Sequence, residues 1–208
     1  KKRKTHVPLA YITGHKEFFG LDFLVNKYTL IPRPDTEIIV EEVLERIKNQ
    51  KSTMHHKDAR QGIKNTILID VGTGTGCIPI SILKNVKQPL TVFATDISRQ
   101  ALKIAKKNTK IHNMEINFVK SNLLQSIIHD SKFIIHDSSL IITANLPYLT
   151  EEQYKSEKSI QYEPKSALVA KKEGLALYEK LFNQIKQLSK TYNLKPKTYA
   201  EIDPSQSE

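Results

Sequence analysis

The run Thr66-Ile67-Leu68-Ile69-Asp70-Val71 passes without a break into Gly72-Thr73-Gly74-Thr75-Gly76. An unbroken apolar strand of this kind is one covered on both faces, and the glycines that end it call for a tight turn into the next element. That element has helical character from about Cys77 to Asn85, and the pattern then recurs. The strand Leu90 to Thr95 ends at Asp96, a helix runs from Ser98 to about His112, a strand covers Ile116 to Val119, and another runs from Leu140 to Ala144. Such alternation predicts a mostly parallel sheet with helices on both faces. Right-handed crossovers then put ligands in the cleft outside the carboxyl ends of the strands.

Before this alternation, residues 5–31 hold two extended patterns, around Tyr11-Ile12 and Phe18-Phe19-Gly20-Leu21-Asp22-Phe23, broken by Gly14 and Gly20. They predict a short β-hairpin. In Leu30-Ile31-Pro32-Arg33-Pro34-Asp35-Thr36-Glu37 two prolines stiffen an extended segment, and Asp35 or Thr36 is placed to cap a helix from Glu37 to about Lys48. Its apolar positions are Ile38, Ile39, Val43, Leu44 and Ile47, and residues 49–65 read as a loop. Further on, Glu151 to Glu157 reads as an exposed turn or short helix and Tyr162-Glu163-Pro164 as a rigid bend. Glu173 to about Ser189 is an amphipathic helix, and Thr198 to Ile202 begins a strand. This divides the chain into a hairpin and linker over residues 1–34 and one domain over 35–208. Lys1 reads as a cut in a longer chain, and a sheet of this class calls for more chain after Ile202. Ile127-Ile128-His129-Asp130-Ser131 and Ile134-Ile135-His136-Asp137-Ser138 nearly duplicate each other, at a period too short for a repeat architecture.

The 208 residues carry a formal net charge of +10, which admits ribosome or nucleic-acid proximity. Arginine occurs only at Arg3, Arg33, Arg46, Arg60 and Arg99, and enrichment in lysine, isoleucine and asparagine is also what an AT-biased genome yields. Charge alone therefore does not identify a polyanionic partner. Cys77, the only cysteine, excludes an internal disulfide and agrees with a reducing, cytoplasmic location. His55-His56, His129 and His136 lack ligand spacing and companions, so no metal site is expected. No apolar run approaches the ~18 residues of a membrane-spanning helix.

The glycine loop differs from a dinucleotide fingerprint, whose third glycine lies one helical turn in. Here the spacing is G-x-G-x-G, and the ending lacks the Gly-Lys-Ser/Thr of a phosphate loop. Its glycines still allow a close approach, and the helix dipole favours a carboxylate. Asp96, twenty residues after Gly76, closes the next strand where a ribose-binding acid belongs. Together these fit S-adenosylmethionine, its amino-acid part on Gly72 to Gly76 and its ribose on Asp96. NAD is disfavoured by the spacing. Glycines that only tighten a turn, with Asp96 capping the next helix, are the structural alternative.

The strand Leu140 to Ala144 stops at Asn145-Leu146-Pro147-Tyr148. Pro147 stiffens that turn and biases Leu146 toward an extended conformation. The Asn145 side-chain oxygen and the Leu146 carbonyl can accept both hydrogens of a planar NH2 group, with Tyr148 against its face. Such a clamp suits alkyl transfer to an amide or exocyclic amine, a weak nucleophile that needs orientation. A proline turn with a capping asparagine is the plainer alternative.

These residues resemble class I methyltransferases. Pro8-Leu9-Ala10-Tyr11-Ile12-Thr13-Gly14, Glu17-Phe18-Phe19-Gly20, Leu30 to Glu37, Tyr162-Glu163-Pro164, Ala167-Leu168, Glu173-Gly174-Leu175 and Tyr178 are similar to the HemK/PrmC family. The resemblance implies a Rossmann-like fold and methylation of the side-chain amide of the glutamine in the Gly-Gly-Gln motif of peptide chain release factors. It implies a monomer, cofactor contacts at Gly72, Thr73, Gly74, Thr75, Gly76, Asp96, Asn122, Leu123 and Asn145, and a catalytic clamp at Asn145, Leu146, Pro147 and Tyr148. Three positions depart from the family pattern. Leu146 stands where proline is usual, Asn122 near a usual acid, and Lys171-Lys172 where a glycine pair is usual. Because NLPY is also typical of RNA adenine dimethyltransferases, the exocyclic amine of adenine is the alternative acceptor.

Overall fold

The structure, a computed structural model, describes residues 6–52, 66–128 and 139–206. The near-duplicate falls mostly outside the described residues, as does the greater part of the loop expected at 49–65. The first element is α1 (Leu9–Thr13), closed by Gly14 at φ +79°. Tyr11-Ile12 is thus helical rather than extended, because the Pro8 carbonyl accepts from both their amides at 3.0 and 3.3 Å. The hairpin lies just downstream, β1 (His15–Phe18) antiparallel to β2 (Leu21–Leu24). Its turn residues Phe19 and Gly20 have φ of +52° and +71°, the left-handed geometry that matches the twist of a tight hairpin.

A 3-10 turn at Pro34–Thr36 leads into α2 (Glu37–Ser52). Neither Asp35 nor Thr36 caps it as expected: the N-cap of the turn is Arg33, with no side-chain cap bond, and Pro34 needs no amide partner at the first position. Along α2 the buried stripe is Ile39, Val40, Val43 and Ile47, while Ile38 is exposed.

Then come β3 (Thr66–Val71), α3 (Cys77–Asn85), β4 (Leu90–Asp96), α4 (Arg99–Ile111), β5 (Asn117–Lys120), α5 (Gln125–Ile128), β6 (Ser139–Ala144), α6 (Glu151–Ser156), α7 (Ala176–Tyr192) and β7 (Lys197–Ala200). The sheet is parallel throughout, in the order β5-β4-β3-β6-β7. Its two central strands alternate with period two. Ile67, Ile69 and Val71 of β3 and Leu140, Ile142 and Ala144 of β6 pack with Leu124, with Ile127 of α5 and with Tyr178 and Leu181 of α7. Leu68 and Ile141 face the other way, into Val40, Val43, Ile78, Ile80 and the hairpin's Phe18 and Phe23. Each fully buried side chain of this size contributes about 1.5–3 kcal/mol.

The hairpin is tied to this body by one polar side chain. Asn108, fully buried on α4, accepts from the Leu24 amide at 2.8 Å and donates to the carbonyls of Leu24 at 3.1 Å and Thr75 at 2.9 Å. It therefore holds the hairpin and the glycine loop to one helix. No described helix is long and apolar enough to cross a membrane.

Candidate active site

The glycine loop leaves β3 at the carboxyl edge of the sheet, where Gly72 and Thr73 both donate to the Thr95 carbonyl at 2.9 Å. A side chain at Gly72 (φ +74°) would have its Cβ 2.9 Å from Leu146 Cδ2, so this glycine lets β6's turn lie directly against the loop. A Cβ at Gly74 (φ +55°) would meet only the Gly72 carbonyl, at 3.9 Å, and would otherwise project into open space. That space is a cleft of about 410 Å³, within the range of small-molecule sites.

Gly72, Thr73, Gly74, Thr75, Asp96, Asn122, Leu123, Asn145, Leu146 and Pro147 all line it. Gly76 and Tyr148 are not part of its wall; Gly76 packs on Ala105, and Tyr148 is tied by its hydroxyl to Glu201 at 3.0 Å. The roof comes from Lys27 to Leu30, Pro32, Arg33 and Thr36, and from Pro164, Ser166 and Ala167. Glu163 locks these two segments together. Its buried carboxylate accepts from the Ile31 amide at 2.9 Å and from the Arg33 guanidinium.

The cofactor inferred from the sequence fits the residues that line the cleft. Asp96 accepts from the Ser98 amide at 2.7 Å and the Gly74 amide at 3.0 Å. A carboxylate has roughly four lone-pair sites, so acceptor capacity remains for a diol. Burial holds the Asp96 carboxyl above the usual range, against the Ser98, Gly74 and Ile97 amides, which pull it down. Thr73 lines the cleft with a buried side chain whose hydroxyl faces the Asp70 carboxyl beneath the loop. A hydroxyl is both donor and acceptor, so Thr73 can serve either charged group of the cofactor's amino-acid end. Exposed Ile97 adds an apolar face at the rim.

At the other end of the cleft the turn after β6 has its polar groups sorted. Asn145 Nδ2 donates to Thr36 Oγ1 and to Glu201 Oε2, both at 2.8 Å, which uses both amide hydrogens. The end left for a ligand is the carbonyl oxygen. Tyr178 accepts from the Leu146 amide at 3.1 Å and gives its single hydrogen to the Glu201 carbonyl, the nearer acceptor, while the Leu146 carbonyl lies 3.5 Å away. Burial, then Glu201, holds the Tyr148 phenol above its ordinary range. Thr36, Tyr178 and Glu201 were not expected at the site. For Thr36 the signal was the proline-flanked run that contains it; Glu201 carried none, because β7 gains meaning only beside β6. No group of described His, Cys, Asp or Glu residues could hold a metal ion.

The comparisons with known proteins agree with this geometry. Residues 52–141 match the family model Methyltransferase small domain. The chain is 38% identical over 181 residues to the release factor glutamine methyltransferase of Flavobacterium psychrophilum, covering 86% of the chain and 58% of the relative. It is 36% identical over 200 residues to that of Enterococcus faecalis, covering 95% and 63%. With a bifunctional methyltransferase of Rickettsia typhi it shares 37% over 219 aligned positions, all of this chain and 40% of the relative. The chain thus spans about 40–63% of the length of these relatives. The crystal structure of the N-terminal domain of human METTL16 in complex with SAH is similar in fold, with a TM-score of 0.57 at 21% identity over 91% of this chain and 64% of that one. The chain has the class I S-adenosylmethionine-dependent methyltransferase fold, and over most of its length it is homologous to release factor glutamine methyltransferases of the HemK/PrmC type.

Proposed function

We propose that this chain moves a methyl group from S-adenosylmethionine to the side-chain amide nitrogen of the glutamine in the Gly-Gly-Gln motif of peptide chain release factors. The single observation that carries the reading is a pair of acceptors, Asn145 Oδ1 and the Leu146 carbonyl, on residues of the same cleft as Gly74 and Asp96. The names of the relatives from Flavobacterium psychrophilum and Enterococcus faecalis support the substrate. Residues 35–208 act as the catalytic unit, with the segment before them as part of its roof.

The cofactor supplies a methyl carbon on a positively charged sulfur. What the chain must supply is orientation, because an amide nitrogen is a weak nucleophile. Asn145 Oδ1 and the Leu146 carbonyl accept the two amide hydrogens and so fix the nitrogen's direction of attack. Well-oriented reactants gain up to about 7–11 kcal/mol in this way. No strong base is required, since the proton leaves after transfer; the raised phenol of Tyr148 stays protonated at neutral pH and is not one. Asp96 binds ribose hydroxyls, and Gly72 to Gly76 hold the amino-acid end.

The test offers labelled cofactor with purified release factor and with structured RNA in parallel. Label in release factor alone is expected, and Asn145→Ala should lower turnover with cofactor affinity nearly unchanged. Label in RNA would establish the adenine alternative, which Leu146 at the clamp's second position favours. A folded Asn145→Ala protein that no longer binds cofactor would contradict the clamp.

A further inference from the structure

We infer that Glu201 is the positioning residue that decides which end of the Asn145 amide faces the substrate, with Thr36 as its second anchor; the inference rests on the clamp proposed for Asn145 and Leu146. An asparagine side chain keeps its shape when its amide is turned over, and the turn exchanges an acceptor for a donor. A clamp for an NH2 group works only with the carbonyl outward. Turned over, it would set hydrogens against hydrogens.

The surroundings of Asn145 allow one orientation. Glu201 Oε2, at 2.8 Å from Nδ2, can only accept. Thr36 has one hydroxyl hydrogen, which goes to the same Oε2 at 2.6 Å, so its oxygen presents a lone pair to Nδ2 at 2.8 Å. Two acceptors converge on one end of the amide and hold the NH2 inward. The other oxygen of Glu201 accepts from the Tyr148 hydroxyl at 3.0 Å, and its carbonyl accepts from Tyr178, whose hydroxyl in turn holds the Leu146 amide at 3.1 Å. One residue therefore anchors Asn145 and Tyr148 directly and Leu146 through Tyr178.

Register explains how it comes to be there. β6 and β7 pair in parallel with Ala144 opposite Ala200, and the Glu201 amide continues the ladder by donating to the Ala144 carbonyl at 3.1 Å. Residue 201 thus lies beside residue 145. Thr36 reaches the pair from the 3-10 turn, where it is buried. Glu201 acts through Asn145 and Tyr148, not on the substrate.

The experiment measures methyl transfer to release factor and cofactor affinity in the intact protein for E201A, E201Q and T36V, each also in an N145A/Y148F background. E201A should lower kcat about 100-fold, as misplaced catalytic groups do, with cofactor Kd within about twofold of wild type. E201Q should regain most of the rate, because the glutamine Oε1 can take the place of Oε2 and leave its NH2 to the Tyr148 oxygen. In the N145A/Y148F background E201A should cost less than about twofold more, since its partners are already gone. Should E201A fail to fold, T36V supplies the same comparison through a near-isosteric change, with a smaller loss that also disappears in that background. A rate lowered in N145A but unchanged in E201A, or equal losses in both backgrounds, overturns the role of Glu201 alone. A rate unchanged in N145A overturns the clamp and this inference with it.

Discussion

Asp70→Asn should change how stability depends on pH more than it changes the fold. Asp70 is 1% exposed, and its Oδ1 accepts from the Thr143 hydroxyl at 2.7 Å. Burial pushes its carboxyl up to about 6 from 3.8, against the moderating Thr73 and Thr143 hydroxyls and with a smaller push from Asp96. Because the folded protein holds this proton more tightly than the unfolded chain, stability is greatest below the unfolded value and falls as pH rises from about 4 to about 6. At 1.36 kcal/mol per unit, the cost above that window is about 3 kcal/mol. Asparagine keeps the acceptor for Thr143 and carries no charge, so the mutant lacks this fall. Asp96 is present in both proteins and largely cancels. The measured quantity is the difference in unfolding free energy between mutant and wild type at pH 7.5, minus the same difference at pH 4. Any packing penalty of the asparagine drops out of it. Urea titrations followed by far-UV circular dichroism suit a chain that has no tryptophan, without added cofactor. A value of about +2.5 kcal/mol is expected, since a small part of the fall has already occurred at pH 4, and parallel pH profiles would show that the Asp70 carboxyl does not titrate in this window.

Three other substitutions probe the supports of the site. Gly174→Ala should cost at least about 3 kcal/mol and most of the activity, because a Cβ there would lie 1.9 Å from the Tyr148 carbonyl oxygen and 2.3 Å from Gln206 Nε2 at φ +88°; thermal unfolding and turnover check it. Lys172→Gly should stabilise by about 1 kcal/mol, since Lys172 sits at φ +54° and its ion pair with Glu179 is exposed and contributes little; a rise in urea midpoint is the readout. Asn108→Ala should cost about 3 kcal/mol or more and weaken cofactor binding in calorimetry. It leaves the Leu24 amide and the carbonyls of Leu24 and Thr75 without their partner, and Thr75 belongs to the glycine loop.

Much of the fold was legible because its signals are local. The helix expected over Cys77 to Asn85 is found at those bounds, and the parallel strands follow the apolar runs to within a residue or two. The misreadings lie where a neighbour overruled a local pattern. Tyr11-Ile12 looks extended, yet its amides close on the Pro8 carbonyl and the Tyr11 hydroxyl reaches the Thr29 carbonyl at 2.5 Å. Thr36 looks like a helix cap, yet its hydroxyl hydrogen goes to a carboxylate 165 residues away. Glu163 read as part of a bend and of the family resemblance, with no partner named, although its carboxylate joins the proline-flanked segment to the far rim of the cleft.

Order along the chain was enough to determine the alternation of strand and helix, the glycine turn after β3, the acid at the end of β4 and the proline turn after β6. Each depends on neighbours a few residues apart, whose periodicity and turn chemistry are written in sequence. Only the tertiary structure decided how the Asn145 amide is oriented. The partners that orient Asn145 lie 109 and 56 positions away, and they meet it because parallel pairing of β7 with β6 and the turn before α2 bring an acceptor-only carboxylate and a hydroxyl to the same NH2.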